Sequence, residues 1–168
     1  METKNYYSLP IEKKHIRKII LDAPAHKKYY SEKEKAWFDL TRAIDFLCDI
    51  GTPVKAALDG KVVAVQDGIT KNWNKPVPPP ENFMSEEEQD GNYVILKHKY
   101  DEFSIYSHLQ PNRIKVKVGD KVSRGEILGY VGNTGWSIKP HLHFMVFRFI
   151  KPNKKDFVSL KIRWKDKI

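Results

Sequence analysis

From Asp45 onward the chain runs in short apolar segments rich in β-branched residues: "GKVVAV", "NYVILKH", "FSIYSHL", "RIKVKVGDKV", "EILGYVG" and "HLHFMVFRFI". Gly and Asp separate them, and such short runs bounded by turn residues predict strands. The expected fold is therefore mainly β, an antiparallel sheet or sandwich with long loops. Asp59-Gly60 and Gly119-Asp120 fit tight turns between strands. Helical periodicity is missing, apart from a weak hint at "EKEKAWFDL". Residues 67–91 are polar and contain "PVPPP". They read as a long surface loop, of the kind that walls a groove. Residues 1–38 read as a basic N-terminal edge extension, 39–150 as the core and 151–168 as a basic C-terminal tail, all within a single domain.

Composition narrows this picture. A chain of 168 residues with a hydrophobic fraction of 40% can bury a core without staples. Cys48 is the sole cysteine, so neither an intramolecular disulfide nor a thiolate metal cluster is available. No apolar run approaches the roughly 18 residues of a membrane span. The stretch "METKNYYSLP" also lacks the apolar segment of a secretory signal. The formal charge of +9 favours polyanions, and nucleic acid, acidic lipid and anionic cell wall all qualify. No specific nucleic-acid partner is expected, because the sequence has no recognition motif and no regular basic and aromatic stripe.

Candidate chemistry starts at "KPHLHF". In a strand, His141, His143, Met145 and Phe147 share one face while Leu142, Phe144 and Val146 take the other. Both imidazoles therefore look into the same space. Asp45 lies among Ile44, Phe46 and Leu47, where an unpartnered charge is costly. Its ordinary partner would be Arg42 or a backbone amide, and the sharper alternative is a metal shared with histidine. His108, in "IYSHL", adds another imidazole. Histidine nitrogen and carboxylate oxygen suit zinc.

The blocks "AIDFLCDIGTPVKAALDGKVVAV", "GNYVILKHKYDEFSIYSHL", "VKVGDKVSRGEILGYVGNTG" and "PHLHFMV" together resemble the lysostaphin-type zinc endopeptidases, which cut peptide bonds in peptidoglycan. The resemblance spans roughly Ala43 to Val146 and implies a duplicated-hybrid-like, barrel-like β fold with one zinc in a groove. It implies Asp45 and His143 as zinc ligands, and His108 and His141 as the residues that assist the attacking water and stabilise the oxyanion. It further implies peptidoglycan or cell-wall peptide as partner and an extracytoplasmic place of work.

One departure matters. The family's first motif opens with a His four residues before the Asp, and here that position is Thr41. Threonine is not an ordinary zinc ligand, so weak or absent zinc is expected unless another group fills in. His26, in "DAPAHKKYY", and His15 lie upstream and offer substitutes, the plainer reading being solvated histidines in a basic stretch. His98 is expected at a strand surface. Ile138 and Lys139 stand where relatives commonly carry Thr and Gly, which sets Lys139 at the groove border. Thr41 also motivates the alternative reading, a non-catalytic relative that binds cell-wall peptide or a partner enzyme. A third class, a biotinyl or lipoyl carrier hairpin at "VKVGDKVSRGEILGYV", lacks the lysine such domains display at a tight turn.

Overall fold

The computed structural model describes residues 1–151 and 155–166, so part of the basic tail lies outside the described residues. The strands in chain order begin with β1 (Glu2–Tyr7), β2 (Lys18–Ile20), β3 (Lys28–Ser31), β4 (Ala36–Asp39), β5 (Ile44–Leu47), β6 (Pro53–Lys55), β7 (Gly60–Gln66) and β8 (Asn72–Trp73). They continue with β9 (Asn92–Lys97), β10 (Phe103–Leu109), β11 (Lys121–Val122), β12 (Ile127–Tyr130), β13 (Gly135–Trp136), β14 (His141–Phe149), β15 (Phe157–Ser159) and β16 (Lys161–Trp164). The fold is mainly β, with three short 3-10 turns among the described residues. "AWFD", inside the weak helical hint, is strand β4: Ala36, Trp37, Phe38 and Asp39 pair with β3 in a hairpin. The two aromatics at adjacent positions suit a pleated surface better than a helix.

The principal sheet has the order β11-β7-β9-β10-β14-β15-β4-β3, with β5 pairing β14 and β2 pairing β5. It does not close into a barrel. Strand β14 is the branch point. One edge pairs with β10 throughout, whereas the other pairs first with β5 over His141–Phe144 and then with β15 over Phe147–Phe149. The nine-residue length of β14 makes this division possible, and the β5 segment sets His143 directly opposite Asp45.

The alternation along β14 sorts its side chains as the sequence predicts. Leu142, Phe144 and Val146 are fully buried in the main core with Phe46, Tyr106 and Leu128. Met145 and Phe147 join Ile105 and Ala43 in a smaller cluster on the opposite face, the face that also carries His143. Tyr7 and Ile11 are fully buried in the main core. Buried Glu102 ties the first strand down, accepting from the Lys4 and Asn5 amides, the Asn5 side-chain amide and the Tyr7 hydroxyl. Burial and the Glu102 charge push the Tyr7 phenol far above its ordinary range.

His98 departs from the surface role expected of it. It is 6% exposed, with Nδ1 at 2.8 Å from the Asp59 carbonyl and Nε2 at 2.8 Å from the Ser104 hydroxyl. A Cβ on Gly60 would stand 2.9 Å from its ring, so the turn glycine is needed for close approach. Burial lowers the His98 pKa, outweighing the Asp59 carbonyl and the Glu102 charge. The unfolded state then binds the proton more readily than the folded state does. The stabilisation from His98 is therefore complete above the unfolded value of about 6.5 and lost as pH falls below it. In urea unfolding, the stability gap between the wild type and His98→Gln is expected to narrow from pH 7.5 to pH 5.5; a constant gap would contradict this.

Candidate metal centre

Asp45 and His143 face each other across the β5–β14 ladder, and His143 Nδ1 lies 3.0 Å from Asp45 Oδ1. His26 Nε2 reaches the same oxygen at 3.1 Å, and its ring meets that of His143 edge-on at 5.1 Å. His141 Nε2 is 3.6 Å from Asp45 Oδ1. The expected ordinary partners are elsewhere: Asp45 meets three imidazoles, and the Arg42 amide is engaged by Ser159.

Hairpin register explains how His26 arrives. Strands β3 and β4 pair Lys28 with Asp39 and Tyr29 with Phe38, and the Leu40 amide donates to the Lys27 carbonyl at 3.2 Å. Continuing that register one step sets His26 across from Thr41, the position at which the resemblance calls for a histidine. Thr41 itself is exposed and spends its hydroxyl on Asp39 at 2.7 Å. It is not brought into the cluster. His15 is exposed in the Lys13–His15 turn.

Two histidines flank the cluster with fixed tautomers. His108 Nδ1 donates to the Thr134 carbonyl at 2.8 Å, and His141 Nδ1 to the Lys139 carbonyl at 2.7 Å. A carbonyl only accepts, so each ring keeps its Nε2 lone pair free. The rings lie 4.6 Å apart. His108 has φ of 63°, left-handed for a non-glycine residue, where the β9–β10 register slips between Tyr106 and Leu109. Such a bulge re-aims a side chain at a local cost in strain. "GNTGWS" supplies the supports. A Cβ on Gly132 would come within 2.7 Å of the Leu109 and Gln110 backbone, and Gly135 has φ of 79°. Thr134 is locked by its hydroxyl to the Leu109 carbonyl at 2.9 Å and the Asn92 amide at 3.0 Å. The exposed Lys139 contributes its carbonyl to His141.

The centre is nearly dry: side-chain exposure is 2% for His26, 11% for Asp45, 8% for His143 and 12% for His141. Burial opposes ionising Asp45, but the hydrogen bonds from His143 and His26 prevail and hold it well below the usual carboxylate range. Burial also works against a charged His143, and there the Asp45 hydrogen bond and the Asp45 and Asp90 charges win and raise it. His108 and His141 go the other way: burial keeps both below the ordinary imidazole value. The charges of His141 and His143 push His108 further down.

The residues fit a zinc ion. Their donor set is two imidazole nitrogens and a carboxylate oxygen, all within 4.8 Å of one another. A tetrahedral zinc with bonds of about 2.1 Å spaces its ligands roughly 3.4 Å apart. His26 Nδ1 is buried with no hydrogen-bond partner. An imidazole held only through Nε2 is what a ligand, rather than a structural hydrogen-bonding histidine, would show.

The sequence profile of Peptidase family M23 matches residues 39–156. The chain belongs to this family. His26 lies outside the matched span, whereas Asp45, His108, His141 and His143 lie inside it. Lysostaphin of Staphylococcus staphylolyticus is 37% identical over 116 residues, covering 67% of this chain and 20% of that protein. The peptidoglycan DD-endopeptidase ShyA of Vibrio cholerae is 39% identical over 100 residues, covering 60% of this chain and 18% of that protein. The chain thus spans about a fifth of the length of these curated relatives. Among solved structures, a zinc-containing peptidase from Vibrio cholerae is 25% identical with a TM-score of 0.55, over 84% of this chain and 36% of that one. A catalytic-domain mutant of the prophage-encoded M23 protein EnpA from Enterococcus faecalis is 28% identical with a TM-score of 0.50, over 76% of this chain and 84% of that one.

The sequence reading missed Asp90, Ser107 and Thr134. Asp90 sits in the acidic run "EEEQD", which reads as solvated loop, yet its charge acts on His143. Thr134 was visible only as part of "GNTG".

Proposed function

We propose that this chain is a zinc-dependent endopeptidase hydrolysing peptide bonds of peptidoglycan, with His26, Asp45 and His143 as metal ligands and His108 and His141 as catalytic residues. The observation that carries the reading is the convergence of three ligand atoms from His26, Asp45 and His143 beside two free Nε2 lone pairs. Zinc held there supplies Lewis acidity, making water a nucleophile near neutral pH and polarising a peptide carbonyl. His141 Nε2, 3.6 Å from Asp45 Oδ1, is placed to take a proton from water. After protonation His108 and His141 both donate through Nε2, which suits stabilising the oxyanion and delivering a proton to the departing amine. The low pKa that burial gives both rings keeps them neutral, as an acceptor must begin.

Thr41 favours the non-catalytic alternative, and His26 offsets it by offering a nitrogen at the opposite position of the hairpin. Acting on peptidoglycan implies work outside the cytoplasm. Among the described residues no helix is long and apolar enough to cross a membrane. The test is hydrolysis of purified peptidoglycan by zinc-loaded protein, read as release of new amino groups. Release that stops with a chelator and returns with zinc is expected, and none at saturating zinc would sink the reading.

A further inference from the structure

Hairpin β3–β4 and the 79–90 loop meet over the sheet face that carries His143. Ser31 donates its hydroxyl to Glu86 Oε2 at 3.0 Å, and Lys33 bonds Glu87. Between the two arms lies a cavity of about 310 Å³, lined among others by Tyr29, Ser31, Met84, Glu86 and Gln89. The next residue, Asp90, accepts the His108 amide at its carbonyl at 3.0 Å, which ties this end of the loop to the metal centre. Its carboxylate interacts electrostatically with His143, Tyr29 and Tyr93.

Polar groups in this hollow lack donors and counter-charges. Glu86 Oε1 is out of solvent with no hydrogen-bond partner. Ser107 is 0% exposed, its hydroxyl is unpartnered, and its position opposite His143 on β10 directs it to the same face. No hydrogen bond reaches the Asp90 carboxylate among the described residues, and burial raises its pKa, as fits a carboxylate without a cation. The lining cation, Lys33, is already engaged by Glu87. An acidic, under-satisfied hollow is unexpected on a chain with net charge +9.

We propose that this hollow is a subsite for a primary ammonium group on the peptide substrate, received by Glu86 and Asp90 beside the metal centre. The assignment rests on the peptidase reading above. An ammonium brings three donors, no acceptor and a positive charge, which matches the unused acceptors here. A second metal ion fits less well. Among the described residues, His26, Asp45 and His143 are the group whose ligand atoms converge, and Glu86 and Asp90 are not part of it.

The test uses the zinc-loaded protein and a five-residue peptide with one central lysine, beside its twin acetylated at the lysine amine. Binding is followed by calorimetry and cleavage by chromatography. The lysine peptide is expected to bind roughly tenfold tighter or more, with the preference collapsing in Asp90→Asn and Glu86→Gln at unchanged zinc content. Equal affinity for the twins, or no binding of either, overturns the subsite, as does a preference that survives both substitutions. An ammonium preference without cleavage of either peptide supports the subsite and counts against the peptidase reading, so the two failures are separable.

Discussion

Replacing His26 with alanine is expected to strip zinc from the protein. The carboxylate of Asp45 would retain one imidazole of the cluster's His26–His143 pair, and two protein ligands make a poor zinc site. Loss of an outer-shell partner alone lowers metal affinity by about 10–100-fold, and loss of a direct ligand should exceed that. Zinc per chain, measured after gel filtration, should fall from stoichiometric to near background in His26→Ala, matching His143→Ala. His15→Ala serves as the control, because His15 is exposed in the Lys13–His15 turn. Unchanged zinc in His26→Ala would mean that His26 merely hydrogen-bonds Asp45, and the centre would then lack a third protein ligand. The circular dichroism melt of each variant separates metal loss from unfolding.

That outcome bears on what a sequence can reveal. The strand positions of Asp45, His108, His141 and His143 were legible because each sits in an apolar run of strand length, and alternation alone assigns the faces of β14. His26 was not legible in the same way. It reaches Asp45 through the pairing of Lys28 with Asp39, and that ladder lies in a segment whose "EKEKAWFDL" weakly suggests a helix. A basic run such as "HKKYY" carries the period-2 signal of a strand only faintly, since Lys28 and Tyr30 are exposed while Tyr29 and Ser31 turn inward. His98 was misplaced for a related reason. It ends a strand whose last residue, Lys97, is exposed, but the Gly60 backbone packs against its ring and takes it out of water. Polar residues whose burial depends on contacts between distant segments, Asp90 and Ser107 included, leave no periodic trace.

The two flanking histidines should separate from the ligands in a different way. Substituting His108 is expected to lower kcat by about 10²–10⁴-fold while zinc content stays stoichiometric, the range attributed to one positioned acid or base. Asparagine is the substitution of choice, because His108 holds φ of 63° and asparagine tolerates the left-handed region better than alanine. His141→Ala should give a loss of the same order. KM should change little in either, since neither ring is needed to hold the peptide before its bond is attacked. Because the rings lie 4.6 Å apart and act on the same water and oxyanion, the double variant should fall well short of the product of the two losses. Fully multiplicative losses would assign the two histidines to independent steps, and a loss of zinc in His108→Asn would move that residue from catalysis into the support of the metal centre.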